Sequence, residues 1–153
     1  MPKRTDAEWQ ALDQRIACEI MGLLTWDDLT PAERQDYIDV VPKKFLDMSL
    51  ERWKKNYWKR QYESVFPLHA FSGWQPHLDV EQAFRVLDAI VALGFDAGVK
   101  TRHYDSLHEV WIVPAECRAP CWLGVHDERR KAICLSVEQW ANAQKEEQHA
   151  QED

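Results

Sequence analysis

Two cysteines and two histidines have the types and spacing that could form a metal centre. Cys117 and Cys121 are separated by three residues, His126 follows five residues after Cys121, and His108 lies on a neighbouring predicted strand. Zinc prefers thiolate and imidazole ligands, but its structural sites usually have more closely paired cysteines. The spacing therefore predicts no metal and no other cofactor. We expect Cys121 to face the core of a sheet and both histidines to lie at the surface.

The same region holds the residue types of a nucleophilic catalyst. Cys121, His126 and Asp127 could supply a nucleophile, a base and an orienting carboxylate, but no strained turn or flanking glycine surrounds the cysteine. Cys18 and Cys134 fall on apolar helix stripes, where cysteine behaves as a small apolar side chain. The five glycines are scattered singly, so the chain has no glycine-rich phosphate loop. These patterns favour a protein that is not an enzyme.

The most distinctive segment is SLERWKKNYWKRQYESVF, residues 49 to 66, which is locally basic in a chain of net charge −7. Its apolar and basic side chains separate at helical spacing, which predicts an amphipathic helix. The apolar face holds Leu50, Trp53, Tyr57, Tyr62 and Val65. The basic face holds Arg52, Lys55 and Lys59.

Three interpretations of this segment remain open. It could be a packing helix with an ordinary solvated face, a surface that stacks on nucleic-acid bases, or a contact for another protein. One cationic helix does not form the groove that follows a nucleic-acid strand, so a protein partner is favoured over nucleic acid. Eight tryptophans exceed what one small core conveniently buries, so some should lie in a pocket or an interface. The predicted partner-binding residues are Arg52, Lys55, Trp58, Lys59, Arg60, Trp26 and Trp74.

Length and composition limit the class of protein. A chain of 153 residues with 45% hydrophobic content can close one sizeable core. Its acidic balance, with a pI near 5.4, opposes extensive contact with nucleic-acid backbone. The first residues lack the apolar run of a secretory signal, and no stretch has the roughly 18 apolar residues of a membrane span. We expect a protein of the bacterial cytoplasm with reduced thiols and no membrane contact.

Helix signals at both ends of the chain flank a region of predicted strands. A helix is predicted from Thr5 to Met21, and the Thr30 and Glu33 pair predicts a short helix from Pro31 to about Val40. Another helix should begin after Asp79 and end before Gly94. Three antiparallel strands are predicted at 95–103, 109–113 and 120–125, and a last helix from Asp127. The acidic residues 146–153 predict a disordered tail.

Four phrases of the sequence resemble the phage ABA-sandwich domain, a family of small phage and prophage proteins. They are RIACEIMGL at 15–23, HLDVEQAFRVLDAI at 77–90, EVWIV at 109–113, and KAICLSVEQWANA at 131–143. The resemblance implies three layers of helix, sheet and helix and a viral or prophage setting, and it implies no known activity. The stretch from about Trp26 to Trp74 departs from the family pattern.

Together these observations predict an α/β (α+β) fold with a small three-stranded antiparallel sheet and helices on both faces. A single domain should span 1–145, with a helical insertion at about 27–74. The predicted function is a non-catalytic phage or prophage accessory protein that binds a host protein or protein complex, with an anti-defence role of the anti-CRISPR kind as one form. Alternatives are a protein that binds a small ligand such as a signalling nucleotide, and weak nucleic-acid binding through the basic aromatic helix. The oligomeric state is left open.

Overall fold

The computed structural model describes residues 3–40, 57–60, 70–72, 74–116 and 121–152. The chain forms two compact units. Met1–Ile20 and Gln75–Asp153 make the first unit, and Met21–Trp74 makes the second. In the described residues, no helix combines the length and apolar character that crossing a bilayer would need.

Two helices of the first unit begin at capping side chains; the first ends two residues before the predicted Met21, and the second lies between the predicted Asp79 and Gly94. Helix α1 spans Asp6–Glu19, and the Thr5 hydroxyl accepts a hydrogen bond of 3.2 Å from the Glu8 backbone N–H. Helix α3, Val80–Ala92, begins after Asp79, whose carboxylate accepts hydrogen bonds from two backbone N–H groups of the first turn. The chain leaves α3 through Gly94, whose φ of 101° suits a residue without a Cβ. The caps therefore define these helices locally.

Three strands and a long helix follow. Strands β4 (Phe95–Thr101), β5 (His108–Pro114) and β6 (Trp122–His126) form an antiparallel sheet in the order β4-β5-β6. Helix α4 spans Arg129–Glu152. The predicted α/β (α+β) class with a three-stranded antiparallel sheet is thereby confirmed.

One face of this sheet, here called the inner face, is closed by α4. Its buried residues are Val110, Ile112, Trp122 and Gly124. A Cβ on Gly124 would lie 2.2 Å from the Ala132 carbonyl oxygen, so only glycine allows this approach of helix and strand. The Ser136 hydroxyl donates a hydrogen bond of 2.6 Å to the Trp122 carbonyl oxygen and fixes the same contact. The inner face is thus a core surface.

The rest of the core comes from the apolar stripes of the helices. Helix α1 contributes Trp9, Leu12, Ile16 and Ala17, and α3 contributes Ala83, Val86, Leu87 and Ile90. Cys134 of α4 is buried as predicted, and burial raises the pKa of its thiol. Cys18 is exposed, so its predicted core position is wrong. Cys18 follows Ala17, the last buried residue of α1, and its side chain lies outside the apolar stripe of the helix.

The C terminus differs from the prediction. Helix α4 continues to Glu152, where the sequence predicted a disordered tail from 146. Glutamate, glutamine and alanine make up most of this stretch, and they are strong helix formers. Lys145 also places its Nζ 2.6 Å from Oε1 of Glu19, which ties α4 to α1 one residue before the predicted tail.

The second unit contains a sheet that the sequence did not predict. Strands β1 (Leu23–Thr25), β2 (Tyr57–Arg60) and β3 (Ala70–Ser72) pair antiparallel in the order β1-β2-β3. A 3-10 turn at Trp26–Asp28 leads to helix α2, Pro31–Val40, which begins at the predicted Thr30 and Glu33 capping pair.

Strand β2 corrects the prediction of one helix over 49–66. Residues 57–60 are extended and pair with Leu23–Thr25 and Ala70–Ser72. The aromatic residues of this stretch favour strands as well as helix faces, and pairing with distant strands decides between the two. The insertion is therefore not wholly helical. Residues 49–56 and 61–66 lie outside the described residues.

Candidate functional site

The structure places the predicted partner-binding residues in different environments. Trp26 and Trp74 are each 6% exposed, so they belong to the core and not to a partner surface as predicted. Trp58, Lys59 and Arg60 lie in strand β2. Arg52 and Lys55 lie outside the described residues. The helical basic face that would have joined these cations does not extend through 57–60.

The candidate zinc ligands are separated along one strand. Cys121 immediately precedes β6 and His126 ends it, which puts about 16 Å of extended chain between them. Cys121 is exposed, so the prediction that it faces the sheet core is wrong. His108 is the strand partner of His126, and Cys117 lies outside the described residues. The same separation keeps the Cys121 thiol away from His126 and Asp127, so these three residues do not form the nucleophile, base and carboxylate of a catalytic site.

A different group of possible metal ligands lies where β6 meets α4. One ligand atom from each of His126, Asp127 and Glu128 lies within 4.8 Å of the others. However, the Glu128 carboxylate already contacts Lys131 Nζ at 2.6 Å and the Arg130 guanidinium at 2.5 Å. The hydrogen bond from Lys131 lowers the pKa of Glu128. Side-chain cations thus neutralise the charge that a metal would need.

Beside this turn, Trp9 forms the centre of an aromatic cluster. Its ring stacks on His77 at 5.9 Å between ring centres and meets His126 edge-on at 6.0 Å. The guanidinium carbon of Arg4 lies 5.2 Å from the centre of the same ring, and Lys131 Nζ lies 5.5 Å from it. A cleft of about 450 Å³ lies over the cluster.

The two cations that lie over the Trp9 ring are paired within the protein. Arg4 donates two hydrogen bonds to Glu138, and Lys131 pairs with Glu128. Behind the ring, the His77 Nδ1 contacts the carboxylate of Asp13, and the His77 backbone N–H donates to the same side chain at 3.3 Å. Both members of this pair are buried. The stacking of Trp9 on His77 and the contact of His77 with Asp13 join α1 to the start of α3.

The opposite face of the β4-β5-β6 sheet, here called the outer sheet face, is the stronger candidate. Strand register places Gly98, Trp111 and Leu123 side by side across the three strands. Glu109 and Val125 pair in the next row, and Asp96 pairs with Val113. Every one of these residues is partly or fully exposed. The face thus has an apolar centre that stays open to solvent.

Trp111 is held flat by its neighbour. A Cβ on Gly98 would lie 2.1 Å from Cζ2 of Trp111, so the indole ring lies directly over the glycine. Leu123, on the other side of Trp111, is 40% exposed. Glycine at this position lets the large ring lie against the sheet and present its other side outward. A partly exposed tryptophan that is fixed in this way is a typical anchor of a protein interface.

The β4-β5 hairpin extends the outer sheet face with polar and aromatic groups. The Arg102 guanidinium donates from its Nε to Glu109, and its carbon lies 5.9 Å from the centre of the Tyr104 ring. Tyr104 is 81% exposed. Tryptophan, tyrosine and arginine are the residue types enriched in interface hot spots. The face therefore combines an apolar centre with a rim that can make hydrogen bonds.

The sequence predicted the strand EVWIV but did not identify Trp111 as a candidate site residue. The alternation in HEVWIVP already separates Val110 and Ile112 from Trp111, so one half of the strand had to face away from the core. The signal that could have identified the site is the position of Trp111, which lies on the same face of the strand as the charged residue Glu109 and so away from the core. Comparison of the chain with protein-family models, curated proteins and solved structures found no match. No relative's residue roles therefore bear on this face.

Proposed function

We propose that this protein is not an enzyme and that it acts by binding another protein through the outer sheet face. The observation that carries this proposal is the row of Gly98, Trp111 and Leu123, in which Leu123 is exposed and the other two residues stay partly exposed. When one face of an antiparallel sheet is in contact with solvent, the residues that point towards the solvent are usually polar. Here the centre is apolar and only the rim is polar.

Charge supports a protein partner over nucleic acid. The outer sheet face carries Asp96 and Glu109 beside Lys100, and its arginine is already paired with Glu109. Contact with a phosphate backbone needs a surplus of cations. This face therefore matches a protein partner whose surface has an apolar centre and a rim with charges of both signs.

The resemblance to phage ABA-sandwich proteins suggests the setting. In a phage or prophage, an accessory protein of this kind would bind a host protein or protein complex, and inhibition of a host defence complex is the role we propose. The EVWIV phrase that carries part of the resemblance is the strand that presents Trp111. The basic residues of β2 remain a second proposed contact in the other unit.

The test is a pull-down from bacterial lysate with the parent and two variants. The variant Tyr104→Glu, Leu123→Glu places two charges on the outer sheet face at exposed positions, so the protein should stay folded. The matched control Leu78→Glu changes an apolar residue that is 49% exposed but lies outside this sheet. We expect the parent and the control to capture the same protein and the double variant to lose it. Equal capture by all three would contradict the proposed surface.

A further inference from the structure

Strand β4 lies at one edge of the β4-β5-β6 sheet. Among the described residues, β5 is the only strand that pairs with it. The side of β4 that lies away from β5, here called the β4 edge, therefore has backbone N–H and carbonyl groups that pair with no described strand. Such an edge is a template on which another strand can pair. The residues of β4 decide which strand fits.

The hydrogen-bond pattern identifies the backbone groups at the β4 edge. The Arg102 N–H donates to the Leu107 carbonyl oxygen at 2.7 Å, so these two residues continue the ladder of β4 and β5 beyond Thr101. Hydrogen-bonded and non-hydrogen-bonded pairs alternate along an antiparallel ladder. The even-numbered residues of β4 therefore bond to β5. The odd-numbered residues, which include Ala97 and Val99, direct their backbone groups to the β4 edge.

The side chains of β4 form a regular pattern about Gly98. Asp96 lies two positions before this glycine and Lys100 two positions after it, and both charged side chains are exposed on the outer sheet face. Ala97 and Val99 flank the glycine on the opposite side of the strand, where each is partly exposed. Within the part of the chain that the structure describes, no ion pair joins Asp96 or Lys100 to another residue. The strand is therefore complementary to a copy of itself that runs in the opposite direction.

We propose that the β4 edge pairs antiparallel with the β4 edge of a second copy of this chain, with Gly98 opposite Gly98 at a two-fold axis. This register places Asp96 opposite Lys100 of the second copy, once on each side of the axis. It also places Ala97 opposite Val99 of the second copy, and both residues direct their backbone groups to the shared edge, as a hydrogen-bonded pair requires. The charged residues then form non-hydrogen-bonded pairs, in which opposing side chains lie closest.

Backbone and charge together select this register. A shift of one residue places the backbone groups of the β4 edge opposite groups that already bond to β5. A shift of two residues in either direction places Lys100 opposite Gly98 or Gly94, so the lysine loses its acidic neighbour. Charged residues on an edge strand also discourage pairing with an arbitrary strand. The β4 edge is therefore matched to a second copy and not to strands in general.

The pairing joins two sheets into one sheet of six strands. The row of Leu123, Trp111 and Gly98 in one copy continues into the same row of the second copy, which doubles the outer sheet face. This inference does not rest on the proposed host partner, because it depends on the edge of β4 and not on the apolar centre of that face. Self-association is measured on the purified chain, and capture of a host protein is measured in lysate.

Reversal of single charges tests the register. Asp96→Lys sets lysine opposite lysine on both sides of the axis, and Lys100→Asp sets aspartate opposite aspartate. Each should weaken dimerisation by about tenfold or more, because like charges directly opposite destabilise paired strands and each change acts twice. Both positions are exposed, so both variants should fold. The matched control Glu147→Lys reverses an exposed charge of α4 and should dimerise as the parent does.

Restoring opposite charges should restore the dimer. An equimolar mixture of Asp96→Lys and Lys100→Asp re-forms both pairs between unlike chains, and the double variant Asp96→Lys, Lys100→Asp re-forms them between like chains. Sedimentation equilibrium at a series of protein concentrations should give twice the 18.0 kDa of one chain for the parent, the mixture and the double variant. The proposal is overturned if the parent stays at 18.0 kDa up to its solubility limit. It is also overturned if the single variants dimerise as the parent does, or if neither the mixture nor the double variant regains the dimer.

Discussion

The two faces of the β4-β5-β6 sheet share one backbone but have opposite environments. On the inner face, Val110 and Ile112 are fully buried, and Gly124 allows α4 to touch the strand. On the outer sheet face, Gly98 allows a tryptophan ring of the sheet itself to lie flat, and the ring remains partly exposed. Glycine thus permits close helix packing on one face and displays an aromatic anchor on the other. Stability should depend on the inner face and binding on the outer one.

Neighbouring residues of β5 should show the largest difference between the faces. Ile112→Ala removes a fully buried side chain and should lower the free energy of unfolding by about 3 kcal/mol, because the cavity cannot close. Val113→Ala, one residue further on the outer sheet face, should lower it by about 1 kcal/mol or less. Urea unfolding of both variants measures the difference. Equal losses would mean that the outer sheet face is also a core surface.

The two glycines provide a second, smaller contrast. A Cβ on Gly124 would meet backbone atoms at 2.2 and 2.5 Å, and these cannot move without shifting α4. Gly124→Ala should therefore destabilise the protein by about 2 to 3 kcal/mol, as overpacking does. In Gly98→Ala the three atoms nearest the new Cβ all belong to the Trp111 side chain, which can swing towards solvent. That variant should lose less stability, and its tryptophan fluorescence should shift towards that of an exposed ring.

The pH dependence of stability should test the core on the side of α1, where Asp13 is buried. Burial raises the pKa of Asp13, and the hydrogen bond from His77 only partly opposes this effect. A raised pKa means that the folded protein binds this proton more tightly than the unfolded chain does. The contribution of Asp13 to stability is therefore full below its ordinary pKa of about 4 and is lost as the pH rises through the raised value.

The variant Asp13→Asn isolates this effect from the other carboxyl groups. It keeps the size of the side chain and one acceptor oxygen for the His77 backbone N–H. The free energy of unfolding of the parent minus that of the variant should fall as the pH rises above about 4. Chemical unfolding at a series of pH values measures it. A difference that rises with pH would show that pairing with His77 outweighs burial.

Local signals predicted the elements of the first unit better than those of the second. Asp79 and Gly94 define the ends of α3 through bonds or backbone angles within a few residues, so the sequence alone reveals them. Strand β2 depends on partners that lie more than ten residues away on each side, and its aromatic and basic residues also satisfy a helical spacing. This stretch has no local feature that excludes a helix, which is why the sequence predicted one.

The candidate site was partly predictable for the same reason. Alternation in β5 predicts that Trp111 points away from Val110 and Ile112. Which of the two sheet faces a helix covers depends on the contact of α4 with Gly124, which a single sequence does not reveal. The burial of Trp26 and Trp74 is likewise a tertiary result, since both lie outside the regular apolar stripes.

Substitutions on the outer sheet face should cause the smallest change in stability and the largest change in partner binding. Tyr104→Glu and Leu123→Glu each alter an exposed side chain, so each should change the free energy of unfolding by less than about 0.5 kcal/mol. The melting temperature of the double variant should stay near that of the parent while partner capture is lost. A large loss of stability would place these residues in the core and remove the contrast between the faces.

Photo-crosslinking from the outer sheet face tests the central claim most directly. A photoreactive phenylalanine derivative placed at position 123 lies beside Trp111, and the same derivative at position 78 lies at an exposed site outside the sheet. Irradiation in bacterial lysate should join the protein to one discrete partner from position 123 and not from position 78. No adduct from position 123, or the same adduct from both positions, would contradict a partner surface on the outer sheet face.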